Sequence, residues 1–237
     1  MINLGRYKEA AAIYGQVVAK ARWLVSVDPN DIKAQVDLSF GLLRYGNTLL
    51  SAGEPEAGLR AMAESRQLLE KLTKDDPANA RLAQNLAALI FQFGEMYSNL
   101  KQWDRAISQT SDALRRARAT LKADPRDTTS ARLILECFLL LPELHAGAGR
   151  KADAVQAAIE LERHAQTGLF TRSKEPRVRS LAAKAFEIVA RHIPARSREL
   201  LARADAEWAA MENEGLLVPA LAVERDAFRK RLAAARR

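Results

Sequence analysis

The chain holds one cysteine, three histidines and only 6% aromatic residues in a length of 237. A lone cysteine excludes an intrachain disulfide, and the apolar neighbours Leu135, Phe138 and Leu139 predict that Cys137 is a buried structural thiol. His145, His164 and His192 are too far apart in sequence for a metal pair, and the His-Glu-x-x-His pattern does not occur. There is no Gly-rich phosphate loop, no Gly-x-Ser-x-Gly, and neither the His-Arg-Asp nor the Asp-Phe-Gly of a kinase. Acidic pairs such as Glu54 with Glu56 and Asp75 with Asp76 fall at expected turns, where they complement helix dipoles. The sequence therefore predicts no enzyme, no cofactor and no metal site. No stretch approaches the ~20 apolar residues that cross a bilayer. Residues 1–6 lack the apolar core of a signal peptide, which predicts a cytoplasmic chain.

What the sequence does hold is a period. Asp28-Pro29, Asp76-Pro77 and Asp124-Pro125 follow one another at intervals of 48 residues. The same step carries Ala10 to Gly58, Ala106 and Ala154, and Gly46 to Gly94. Apolar positions keep the register: Leu38, Leu86 and Ile134; Leu42, Ile90 and Phe138; Leu59, Ile107 and Val155. A period of this length marks stacked supersecondary units, each of which needs its neighbours to bury its apolar face.

Within a unit the apolar residues recur at helical spacing, as in Leu59, Met62, Leu68, Leu69 and Leu72. Asp76-Pro77 stops that helix, because proline disfavours helical geometry in the residue before it. Asn79 or Asp75 is then available to cap the turn. Helices are expected over about 31–52, 54–74, 78–100 and 102–123, with Gly58, Ala106 and Ala154 buried at close crossings. Abundant Ala, Leu, Arg and Glu agree with an all-α chain. Pro142 stands where the earlier units have Gly46 and Gly94, and predicts a local bend in its helix.

The glycine followed twelve positions later by a small residue, in Gly46 with Gly58 and Gly94 with Ala106, resembles the tetratricopeptide repeat. Residues Gly5 to Tyr14 fit that family's turn and second helix, and the register holds to about residue 168. The usual unit is ~34 residues; here each helix is longer by seven residues, about two turns, which leaves the apolar stripe nearly in phase. Such long-helix repeats are similar to those on the C-terminal side of bacterial Ser/Thr protein kinases. The resemblance implies an α-solenoid of antiparallel helix pairs in a right-handed superhelix. Its units are 1–29, 30–77, 78–125 and 126–168, followed by a divergent helical cap over 169–237. In that cap, helices are expected from about Arg177 to His192, from Pro194, and from about Leu217 to Ala235.

Two functions follow from the resemblance: a non-catalytic scaffold that binds a polypeptide on its concave face, or the regulatory arm of a bacterial kinase or other multidomain regulator. The groove positions would be Arg44, Asn47, Ser51, Gln92, Glu95, Asn99, Glu136 and Glu143, with Leu139 beside them. The family's carboxylate clamp is not matched, since its positions hold Leu43, Asn47, Ala88 and Gln92 and only the asparagine agrees.

The net charge of +8 is uneven. Between Arg163 and Arg203 there are 10 basic residues against Glu175, Glu187 and Glu199, which raises nucleic-acid binding as a further alternative. Set against it, an arginine-rich solvated helix face is the simpler expectation. Residues 1–27 read as the second helix of a unit without its first. Tyr7, Ile13, Tyr14, Val17 and Val18 are then expected to form an apolar outer face open to a second copy, an upstream domain or a peptide helix.

Overall fold

The computed structural model describes residues 4–235, and among them the regular structure is entirely helical. The elements are α1 (Leu4–Val27), α2 (Ile32–Ser51), α3 (Pro55–Asp75), α4 (Ala80–Asn99), α5 (Trp103–Ala123), α6 (Thr128–Gly147) and α7 (Lys151–Ala165). They continue with the short α8 (Gly168–Thr171), α9 (Pro176–His192), α10 (Ser197–Asn213) and α11 (Pro219–Ala235). Successive helices pack as antiparallel pairs, the arrangement of an α-solenoid. The helices α2 to α5 have 20, 21, 20 and 21 residues, the long-helix lengths that the period predicts.

Two kinds of turn repeat with the sequence. At the Asp-Pro turns the first aspartate accepts locally, as in Asn30 N to Asp28 Oδ1 (2.9 Å) and Arg126 N to Asp124 Oδ1 (3.0 Å). The residue three positions later caps the next helix. Asp31 accepts from Ala34 N, Asn79 from Leu82 N, and Asp127 from Thr129 N and Ser130 N. These caps are themselves 48 residues apart, and Asn79 rather than Asp75 takes the role in its unit. At the other turns a left-handed residue recurs: Gly53 at φ 88°, Lys101 at 57° and Gly149 at 75°.

Contacts divide the chain into two compact units, one ending at Met96 and the other starting at Tyr97, so that the division falls inside α4. In the first, α2 packs against both α1 and α3. Its core joins Val18 and Ala21 of α1 to Leu38 and Leu42 of α2 and Ala61 of α3. The crossing of α2 and α3 is close at Gly46 and Gly58, and it is tied by Ser65 Oγ donating to Ser39 O at 2.7 Å. Both serines are buried, so this bond satisfies polar groups that would otherwise cost about 1–3 kcal/mol each.

In the second unit α5, α6 and α7 pack in order, and α9 lies against α6, α7 and α10. Small residues line the shared faces: Ala106, Ala113 and Ala117 on α5, and Ala154, Ala158 and Ala165 on α7, all buried. Gly58, Ala106 and Ala154 are thus buried as the period predicts. Cys137 is buried. Helix α6 runs on through Pro142, a buried residue among Leu141 and Leu144, whose burial helps hold a helix that has lost a backbone bond. Leu200, Ala204, Trp208 and Met211 form the buried stripe of α10.

The end of the chain differs from expectation in two details. Pro194 opens a short 3-10 turn, Pro194–Arg196, before α10 begins at Ser197. The last helix starts at Pro219, two residues after Leu217, because proline suits a helix's first turn.

Candidate functional site

The positions expected to line a groove lie on α2, α4 and α6. On α2, Arg44 and Ser51 are exposed and Asn47 is half-buried. The hydroxyls there turn inward, with Thr48 Oγ1 donating to Arg44 O and Ser51 Oγ to Asn47 O. The Arg44 guanidinium makes no ion pair among the described residues. On α4, Glu95 and Asn99 are exposed and Gln92 is half-buried.

On α6, Glu136 and Glu143 are half-buried and already engaged. Burial pushes the Glu136 carboxyl up, against the opposing pull of Arg132 at 3.7 Å. Glu143 Oε1 lies 3.1 Å from His192 Nε2 and 3.3 Å from Arg191 Nη2 of α9. The pairing to α9 could not be read from the sequence, since it joins residues about 49 apart across a cap that has left the register.

The basic segment is spent largely within the chain. Seven of its ten cations, Arg163, Lys174, Arg179, Lys184, Arg191, Arg196 and Arg203, make ion pairs. The buried Glu162 of α7 takes Arg196 in a two-pronged contact at 2.7 and 2.9 Å, together with Arg203 at 3.2 Å. The guanidinium of Arg203 also stands 4.4 Å over the Phe186 ring. Glu199 and Glu162 together hold the Arg196 guanidinium more firmly protonated than usual. Arg179, almost wholly buried, reaches Glu207 at 3.3 Å and Glu214 at 3.5 Å. Burial pushes the Glu207 carboxyl up despite Arg179.

The remaining histidines have packing roles. His145 stands 3.9 Å from Asp153, and burial pulls its imidazole below the ordinary value, with Asp153 opposing and Arg150 adding to the fall. His164 stacks on Phe138 with ring centroids 4.2 Å apart, and its Nδ1 donates to Glu160 O. Among the described residues no group of three or more His, Cys, Asp or Glu is placed to hold a metal ion. No helix among them is long and apolar enough to cross a membrane.

The outer face of α1 carries apolar residues, with a corrected membership. Ile13, Val17, Leu24 and Val27 form one exposed stripe, and Trp23 and Tyr7 are exposed beside it. Val18 is not part of it: only 3% exposed, it packs into the core with Leu38 and Leu42. Tyr14 is half-buried.

No protein-family model matches the sequence, and no curated protein does. Among solved structures, the crystal structure of BtubC (BKLC) from P. vanneervenii is similar over 90% of this chain and 93% of its own. The two share 15% identity with a TM-score of 0.47.

Proposed function

We propose that the chain is a non-catalytic, polypeptide-binding scaffold of the tetratricopeptide type, with repeat units at 1–29, 30–77, 78–125 and 126–168 and a helical cap over 169–237. The partner contacts polar positions on α2 and α4 in the first unit. One observation carries this reading: three repeat positions are polar and not buried on both α2 and α4. Asn47 and Glu95 occupy one such position, Arg44 and Gln92 a second, and Ser51 and Asn99 a third, and none of them is buried; on α6 the second and third hold Leu140 and Gly147, and Glu143 of the first is paired with α9. Apolar residues on the same helices, such as Leu42, Ile90 and Leu135, are buried. A face of amides with charges of both signs suits an extended or helical polypeptide, recognised by hydrogen bonds and a few charged contacts.

Selection of peptides from a displayed random library against the whole chain tests the proposal. Arg44→Glu and Glu95→Lys are expected to weaken the selected peptides roughly tenfold each, an energy of about 1.4 kcal/mol. Selected peptides indifferent to both variants would contradict it. Nucleic-acid binding is the lesser reading, because intrachain carboxylates neutralise most of the cations it would use. A second reading, self-association of two copies through α1, is favoured by the exposed stripe at Ile13, Val17, Leu24 and Val27.

A further inference from the structure

The second unit contains an open hollow of about 460 Å³ at the place where the repeat breaks its own pattern. Helix α7 has 15 residues where α3 and α5 have 21. The chain leaves the helix after Ala165: Thr167 is extended, at φ −69° and ψ 145°, and donates from Oγ1 to His164 O. A shortfall of six residues removes about 9 Å of helix. What it uncovers is the end of α5, with Arg118, Leu121 and Lys122, and the start of α6, with Ile134. Phe170 of α8 turns back into part of the vacated space and is buried there.

The lining divides by chemistry. Leu121, Ile134 and Phe170 make an apolar floor, while Arg118, Lys122 and His164 stand around it. Among the described residues, no acidic one lines the hollow. Neither Arg118 nor Lys122 forms an ion pair with a carboxylate among the described residues. The guanidinium of Arg118 rests 5.2 Å over the Phe138 ring, a contact that positions the cation without neutralising it. This sets it apart from the segment Arg163–Arg203, where most cations are already matched.

We infer that this hollow of the second unit is a docking site for a short extended peptide that presents an apolar side chain flanked by acidic residues. The vacated length of about 9 Å matches about three residues of extended chain at ~3.3 Å each. The volume lies in the range of built ligand sites. The apolar side chain replaces the packing that two further turns of α7 would have supplied, and its acidic neighbours meet Arg118 and Lys122.

The test uses the whole chain and a fluorescein-labelled peptide with the core Asp-Glu-Leu-Phe-Asp in a Gly-Ser frame. Two control peptides replace the acids by lysine or the Leu-Phe pair by serine, and dodecanoate serves as a free apolar anion. Binding is read by fluorescence anisotropy and by thermal melting of each variant alone. The acidic-apolar peptide is expected to bind, and both controls to lose binding. Lys122→Glu and Arg118→Glu are each expected to weaken it roughly tenfold, and Thr167→Trp, which fills the hollow from an exposed position, to abolish it. Since Lys122 makes no ion pair, its variant stays informative should the Arg118 change disturb folding. Equal binding of the lysine control, indifference to Lys122→Glu and Thr167→Trp, or binding of dodecanoate without the peptide would each overturn the proposal.

Discussion

Gly46 and Gly58 face each other so closely that a Cβ added to either would lie 2.7 Å from the carbonyl oxygen of the other. That distance is below normal van der Waals contact, and the obstacle is backbone rather than a movable side chain. Gly46→Ala and Gly58→Ala are therefore each expected to destabilise the first unit by about 1–3 kcal/mol. Denaturant melts of the two variants check this, and an unchanged midpoint would mean that α2 and α3 cross at a greater distance.

The same reasoning applies one unit later with a different size limit. Ala106 is fully buried, so its methyl group fits but a larger side chain does not. Ala106→Leu is expected to cost about 1–3 kcal/mol through overpacking. A neutral thermal melt would place this residue away from the helix crossing.

Lys101 holds the left-handed position that glycine occupies at Gly53 and Gly149. A left-handed conformation costs a residue with a Cβ about 1–2 kcal/mol, and glycine returns part of that through the greater freedom of the unfolded chain. Lys101→Gly is expected to raise stability by about 1 kcal/mol or less, and Gly53→Ala to lower it. Melting of the pair together separates this effect from any loss of lysine charge, since only Gly53→Ala leaves charge untouched.

His145 links stability to pH. Burial lowers its pKa in the folded state, so folding favours the neutral ring. The corresponding stability is fully present above the unfolded value of about 6.5 and is lost as pH falls through the folded value. Leucine stands at the equivalent repeat position, Leu49. His145→Leu is therefore expected to flatten the decline in melting temperature between about pH 7 and pH 5. An unchanged decline would assign it to other groups.

The exposed stripe of α1 contains a lysine. Lys20 lies between Val17 and Leu24 at the same three-and-four spacing, so two α1 helices brought together would bring like charges close. Self-association through this face is thus expected to strengthen with salt, and Val17→Asp to abolish it. Sedimentation across dilution and salt series decides the matter; a strict monomer in every condition would rule the α1 contact out.

Most of the helical framework was legible because it is written three times over. Asp-Pro steps, small residues and apolar positions agree at one spacing, so a local ambiguity in one copy is resolved by the next. The choice between Asn79 and Asp75 as cap was open only while Asn79 was read without Asp31 and Asp127. Lys101 was missed for a different reason: with a lysine between Gly53 and Gly149, the recurring left-handed turn has no residue-type signature. The candidate site was legible only as positions. Whether Glu143 is free depends on His192 and Arg191, and the fate of Arg196 depends on Glu162; both pairings join the regular array to a cap that no longer follows it. The hollow near Phe170 arises where α7 falls short of its repeat length, and Gly168 alone indicates an interruption without showing what is uncovered.

Site-specific photo-crosslinking tests the scaffold proposal most directly. A photoreactive residue is placed at Asn47 or Glu95 on the proposed binding face, and at the exposed positions Ala63 and Ser111 as controls. Each protein is illuminated in lysate of the source cells. The expected result is a discrete crosslinked polypeptide from Asn47 and Glu95 and none from Ala63 and Ser111. Equal labelling at all four positions, or labelling confined to Ala63 and Ser111, would contradict a partner held on α2 and α4.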